Sequence, residues 1–133
     1  MAMELKEAEF RDLLGKTHVP VVACFFANWC GPCKRFAPVF EAVAKKMQAG
    51  GSGAGLKADV DTLANKTERA KEHGCIEFVR LDIDGCDQLC MDVNVDVVPT
   101  VMLFENGKVV ARNDGGFATE RDLEKFIKEN LQN

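Results

Sequence analysis

Two cysteines three positions apart are the residues of this chain whose types and spacing most directly indicate chemistry, in Cys30-Gly31-Pro32-Cys33. Apolar residues recur after them at helical spacing, so a helix is predicted to begin inside the pair, with Pro32 tolerated in its first turn. Unpaired backbone N–H groups and the positive end of the helix dipole then face the first sulfur and favour its thiolate form. Because the thiolate is the attacking species, the pattern predicts Cys30 as the nucleophile and Cys33 as the resolving thiol.

The chemistry expected of this pair is thiol–disulfide exchange. Cys30 attacks a disulfide of another protein and forms a mixed disulfide, and Cys33 then attacks Cys30 and releases the reduced substrate. The only redox group this reaction needs is the Cys30–Cys33 disulfide itself. The sequence has no glycine-rich phosphate-binding motif, so no bound nucleotide or other cofactor is expected.

The other four cysteines have less specific surroundings: Cys24, Cys75, Cys86 and Cys90. Cys24 shares a predicted strand face with apolar residues and is expected to be a small buried side chain, and Cys75 is expected to be structural. Cys86 and Cys90 are either a second, regulatory dithiol or ordinary helix-facing thiols. At this helical spacing their Cβ atoms would be about 5–6 Å apart, whereas a disulfide needs about 3.5–4.5 Å, so bridging them would distort the helix.

A zinc site built from both cysteine pairs is the competing interpretation. The two pairs are separated by far more residues than the roughly 12–20 typical of compact zinc modules. No metal is therefore expected.

The apolar pattern predicts an α/β protein with a central mixed β-sheet and helices on both faces. Between the active-site helix and the following strand lies an insert that is glycine-rich at first and then helical. An Asn-Gly pair predicts a hairpin turn near the end of the chain. In chain order the predicted elements are a strand at Ala2–Glu4, a helix at Glu7–Leu14, a buried strand at Val19–Ala27, the active-site helix, a connector at Ala49–Gly55, a surface helix at Leu56–Gly74, a strand at Ile76–Ile83, a short helix within Cys86–Asn94, a hairpin of Thr100–Phe104 and Val109–Ala111, and a helix at Thr119–Leu131.

Composition limits the class of protein. The 133 residues are 47% hydrophobic, which is enough for one core, so a single domain over residues 1–133 is expected. The net charge of −4 disfavours nucleic acid as a partner. No run approaches the roughly 18 apolar residues of a membrane span, and the start lacks the basic and apolar segments of a secretory signal. These patterns predict a cytoplasmic protein with no membrane partner.

Several motifs spread along the chain resemble the thioredoxin family. They are Trp29-Cys30-Gly31-Pro32-Cys33-Lys34, Pro38, Asp82-Ile83-Asp84, Val98-Pro99-Thr100, Phe104-Glu105-Asn106-Gly107 and Gly115. The resemblance covers nearly all of the chain outside the insert at about residues 49–74. It implies a thioredoxin fold and a protein-disulfide oxidoreductase that mainly reduces its substrates.

The resemblance also implies roles for residues around the dithiol. Trp29, Gly31, Pro32, Pro99 and Arg80 would support the active site, with Pro99 in the cis form beside Cys30 and Arg80 where the family usually has a lysine. The substrate groove would be formed by Trp29, Val98, Pro99 and Gly115. The implied partners are an NADPH-dependent thioredoxin reductase as electron donor and disulfide-containing proteins, such as peroxiredoxins or reductases, as substrates.

Cys24 stands where the family usually has a buried aspartate that moves the proton of the resolving thiol. A buried thiol is a poor base at neutral pH, so resolution is predicted to be slow unless water or Asp82 accepts the proton. Two other functions remain open from the sequence. One is a dedicated thiol donor to a particular peroxidase or reductase system, and the other is a non-catalytic binding module.

Overall fold

The structure is a computed structural model that describes residues 2–53 and 76–131, with only the backbone described for residues 48–53. The predicted surface helix at Leu56–Gly74, and Cys75, lie outside the described residues.

The described elements follow the predicted order and confirm the α/β class. They are β1 (Met3–Glu4), α1 (Glu7–Lys16), β2 (Val21–Phe26), α2 (Gly31–Gly53), β3 (Glu77–Asp82), a 3₁₀ turn (Ile83–Gly85), α3 (Asp87–Asp92), β4 (Thr100–Glu105), β5 (Lys108–Asp114) and α4 (Glu120–Asn130).

The strands form a five-stranded mixed sheet in the order β1-β3-β2-β4-β5. β3 pairs in parallel with β1 and β2, whereas β4 pairs antiparallel with β2 and β5. β2 lies in the middle, and all six of its residues are buried because both of its faces are covered. Its carboxyl end leads directly into the cysteine pair.

Helices cover both faces of this sheet, as the sequence predicts. On one face, Phe40 of α2 and Leu123 of α4 pack with Val22 and Cys24 of β2. On the other, Phe10 of α1 and Leu89 of α3 pack against the alternate residues of the same strands. The sheet thus lies between two packed layers, and the dithiol follows the end of its central strand in a separate cluster with Phe26 and Ala27.

Local signals account for the turn and the final helix. Asn106 and Gly107 both have positive φ, 53° and 80°, which is the geometry of a tight hairpin turn with an Asn-Gly pair. Thr119 caps α4, and its side chain accepts the N–H of Asp122 at 3.1 Å.

Most element boundaries lie one to three residues from the predicted ones, and the end of α2 lies further along the chain. α2 continues to Gly53, through residues expected to form a connector from Ala49, because extending an existing helix needs no new nucleus, although each of the three glycines costs about 1 kcal/mol. β3 ends at Asp82 rather than Ile83, because the Asp82 side chain accepts the N–H of Asp84 and starts a 3₁₀ turn.

Candidate active site

The cysteine pair lies where β2 ends and α2 begins. Cys30 directly precedes Gly31, the first residue of α2, and is 6% exposed. The backbone N–H of Cys33 donates to Sγ of Cys30 at 3.2 Å. An N–H group aimed at this sulfur stabilises negative charge on it, which is what a nucleophilic thiolate requires. Gly31 and Pro32 form the exposed surface of the same turn.

Cys33 is more suited to the second step. Cys33 is 5% exposed. Burial, together with the hydrogen bond to the Cys30 side chain, raises the pKa of the Cys33 thiol to about 11. At neutral pH Cys33 therefore stays protonated until a mixed disulfide forms beside it, as a resolving thiol should.

A cis-proline segment approaches the dithiol from the other side. The Val98–Pro99 peptide bond is cis, as the resemblance implies. Sγ of Cys30 lies 3.6 Å from the carbonyl oxygen of Val98. The N–H of Gly115 donates to the carbonyl of Pro99 at 2.7 Å, so three of the predicted groove residues converge here.

Gly116 is a site residue that the sequence reasoning missed. Its φ is +76°, and a Cβ there would lie 2.9 Å from Cγ of Pro99 and 3.2 Å from Cγ of Phe36. A Cβ on the predicted Gly115 would meet nothing within 4 Å. The two adjacent glycines signal a tight turn in the sequence, but only their placement shows that Gly116 makes room for the cis-proline.

The loop in front of Cys30 is tied to the end of β3. Trp29 is 67% exposed, and its indole N–H donates to the Asp84 carboxylate at 3.1 Å. The side chain of Asn28 donates to Asp82 at 2.9 Å. The other oxygen of Asp82 accepts the N–H of Asp84 at 3.0 Å. These contacts make Asp82 and Asp84 positioning groups for the Trp29 loop.

Arg80 approaches the dithiol from β3. Its guanidinium carbon lies 4.2 Å from the centre of the Phe26 ring, and Phe26 packs in one cluster with Cys30 and Cys33. Oε1 of Glu4 lies 3.9 Å from Nη1 of Arg80. The positive charge of Arg80 partly opposes the rise in the pKa of the Cys33 thiol.

Cys24 occupies the position where the family usually has a buried aspartate. It is 3% exposed, and burial raises the pKa of its thiol to about 12. A thiol of this kind stays neutral at physiological pH and does not accept a proton from Cys33. The expected small buried side chain at Cys24 is confirmed.

Cys86 and Cys90 lie on the face of the sheet opposite to the one that holds Cys24. Cys86 is 1% exposed and packs in the same core as Leu89. The N–H of Cys90 donates to the carbonyl of Cys86 at 2.9 Å, so both lie on one turn at the start of α3. Burial raises the pKa of both thiols, that of Cys86 to about 11. Cys90 is partly exposed, and these surroundings favour ordinary helix-facing thiols over a reactive pair.

Within residues 2–53 and 76–131, no three or more His, Cys, Asp or Glu side chains are grouped so that they could hold a metal ion. No helix in that part of the chain has the length and apolar character needed to cross a membrane.

A shielded dithiol at a helix start, with a cis-proline beside the first sulfur, defines a thiol–disulfide exchange site. Comparison with known proteins agrees. The family model described as Thioredoxin matches residues 1–71 and 51–129. The chain belongs to the thioredoxin family, and it has the thioredoxin fold.

The similar proteins include thioredoxins of animals, bacteria and a fungus. The chain is 32% identical over 120 residues to the mitochondrial thioredoxin of Bos taurus, covering 90% of this chain and 57% of that protein. It is 30% identical over 122 residues to the thioredoxin of Mycoplasmoides gallisepticum, covering 92% and 94%. The X-ray structure of Fasciola hepatica thioredoxin superimposes with a TM-score of 0.68 at 26% identity, covering 96% and 98%. The chain thus spans little more than half the length of its mitochondrial relatives.

Proposed function

We propose that this chain is a thioredoxin-type oxidoreductase that reduces disulfides of other proteins. The observation that carries the proposal is the placement of Sγ of Cys30, which accepts the N–H of Cys33 at 3.2 Å and lies 3.6 Å from the carbonyl of Val98. A substrate chain beside Val98 would bring its disulfide against the sulfur that the helix start stabilises.

The reaction follows from this arrangement. The Cys30 thiolate attacks one substrate sulfur, the substrate S–S bond breaks, and the second substrate sulfur leaves as a thiolate that takes up a proton. Cys33 then loses its proton and attacks Sγ of Cys30. The mixed disulfide breaks, the first substrate sulfur leaves, and the Cys30–Cys33 disulfide carries the two-electron oxidation.

The oxidised protein needs an electron donor for another cycle. We infer that an NADPH-dependent thioredoxin reductase supplies the two electrons and two protons that restore both thiols. Substrates are disulfide-containing proteins, with peroxiredoxins and reductases as the classes to test first. The family to which the chain belongs supports this pairing.

The test is NADPH oxidation in a mixture of thioredoxin reductase, this protein and insulin as the disulfide substrate. Wild type is expected to turn over, and Cys30→Ser is expected to fall to the background rate without the protein. Equal rates for the two proteins would contradict the proposed function and leave a non-catalytic binding module. A Cys24→Ser variant is the matched control, because it removes one buried thiol and leaves the dithiol intact.

Cellular location enters as a further proposal. We propose the cytoplasm, on six cysteines in a chain whose chemistry needs thiols. Three of the relatives are named mitochondrial thioredoxins. Cell fractionation with an antibody to this chain distinguishes the two compartments, and enrichment with mitochondria would overturn the proposal.

A further inference from the structure

An arginine on the edge strand holds the end of α3. Nη1 of Arg112 donates to the carbonyl of Val93 at 3.1 Å, and Nη2 donates to the carbonyl of Asn94 at 3.0 Å. Asn94 has a φ of 57°, the left-handed geometry in which helices commonly end. The last carbonyls of a helix lack partners within it, so Arg112 supplies the donors they need.

The same guanidinium is fixed by a carboxylate on its own strand. Nε and Nη2 of Arg112 lie 3.1 and 2.9 Å from Oδ1 of Asp114. That oxygen is also 3.3 Å from Oγ1 of Thr100, which faces Asp114 in the register of β4 and β5. The single hydroxyl proton of Thr100 is shared between this oxygen at 3.3 Å and the carbonyl of Val97 at 2.8 Å. The Asp114 carboxylate therefore lies between the α3 end and the residue directly after the cis-proline.

Thr100 holds the other end of the connecting loop. It is fully buried, and its hydroxyl donates to the carbonyl of Val97 at 2.8 Å. Val97 is itself 44% exposed at the rim of the site. The loop from Val93 to Val98 is thus attached at its start through Arg112 and at its end through Thr100.

We propose that Arg112, Asp114 and Thr100 are positioning residues that set the place of the Val97–Val98 backbone relative to Cys30, and so determine how tightly an extended protein substrate binds. This inference rests on the proposed reductase function. None of the three side chains touches the reacting sulfurs. They act by ordering the loop before substrate binds, because a loop already held in its binding geometry loses less conformational freedom on binding.

The network makes different predictions for large and small substrates. A protein disulfide must lie along the Val97–Val98 backbone, whereas a small aromatic disulfide such as 5,5′-dithiobis(2-nitrobenzoate) needs only the Cys30 sulfur. In Arg112→Met, which keeps a long apolar stem and loses the donors, KM for insulin should rise about tenfold, the size expected for lost charged hydrogen bonds. The kcat for insulin and the rate with the small disulfide should change less than about twofold.

The matched control is Arg121→Met on α4. Arg121 is exposed, and among the described residues it has no hydrogen bond or ion pair. The variant makes the same change of charge on the helix that packs on the other face of the sheet from α3, and its KM should equal that of wild type. A tenfold rise in both variants would show a general charge effect and overturn the inference, and so would an unchanged KM in Arg112→Met.

Thr100 provides a test that separates the hydrogen bond from packing. Thr100→Ser keeps the hydroxyl and loses a methyl group, whereas Thr100→Val keeps the shape and loses the hydroxyl. The inference predicts a KM near that of wild type for Ser and a raised KM for Val, with the reverse order contradicting it. If wild type reduces neither insulin nor the small disulfide, the proposed function itself fails. If wild type is active but the variants have an unchanged KM, only the positioning role fails.

Discussion

Cys24 of β2 lies in register with Arg80 of β3, so the residue beside this cation on the central strand is a thiol. The charge of Arg80 lowers the pKa of Cys33, whereas Cys33 contributes to raising the pKa of Cys24. Arg80 favours the thiolate of Cys33, but neither side chain accepts the proton that Cys33 must lose. Proton removal is therefore expected to limit the second step of the reaction.

The first prediction concerns the pH dependence of that step. Because the pKa of Cys33 is raised to about 11, only a small thiolate fraction exists at neutral pH, and the resolution rate should rise with pH through the neutral and mildly alkaline range. Cys24→Asp places a base beside Cys33 and should speed resolution at neutral pH at least about tenfold and flatten the pH profile. Single-turnover fluorescence of Trp29, the one tryptophan of the chain, measures this rate.

Cys24→Ala is the control for that variant. It removes the thiol without adding a base, so its resolution rate and pH profile should match those of wild type. If the profiles of Cys24→Asp and wild type superimpose, this position does not limit proton transfer.

The second prediction concerns Gly116. Gly116→Ala should lower the free energy of unfolding by about 1–3 kcal/mol, because alanine is strained at φ +76° and its Cβ would meet Pro99 at 2.9 Å. Urea unfolding measures the loss. Gly15→Ala is the matched control: nothing lies within 4 Å of the added Cβ in helix α1, and the change should raise stability by about 0.4–1 kcal/mol. A Gly116→Ala protein as stable as wild type would refute the close packing on the cis-proline.

The third prediction concerns Cys86 and Cys90. Cys86 is 1% exposed, both thiols have raised pKa values, and bridging one helical turn requires distortion of α3. Mild peroxide should therefore produce the Cys30–Cys33 disulfide while Cys86 and Cys90 remain reduced. Peptide mapping by mass spectrometry, with Cys90→Ser as the control for assignment, reads out each bond. A Cys86–Cys90 crosslink formed as fast as the Cys30–Cys33 bond would instead support a regulatory dithiol.

Short-range signals explain why much of this site could be predicted from the sequence. The Cys30–Cys33 spacing, the helix that starts inside it and the Asn106-Gly107 turn each depend on neighbouring residues alone. The burial of Cys24 follows from the apolar strand around it. The cis form of Pro99 came from the family resemblance, since the chain around it carries no independent signal.

The missed features depend on residues that are distant in the chain. Arg112 meets the carbonyls of Val93 and Asn94 only because β5 lies beside the α3 end in the folded protein. Gly116 cannot be told from Gly115 until Pro99 and Phe36 are placed. No local pattern carries that information, so neither role could be predicted from residue types and spacing.

The most direct test of the central claim, that Cys30 attacks and Cys33 resolves, is the mass of the covalent product formed with a disulfide substrate. Cys33→Ser should accumulate a mixed disulfide, and peptide mapping should place the bond at Cys30. Cys30→Ser, mixed with the same substrate, should form no such adduct within the same time. A mixed disulfide at Cys33 in the Cys30→Ser protein, formed at a comparable rate, would contradict the assignment.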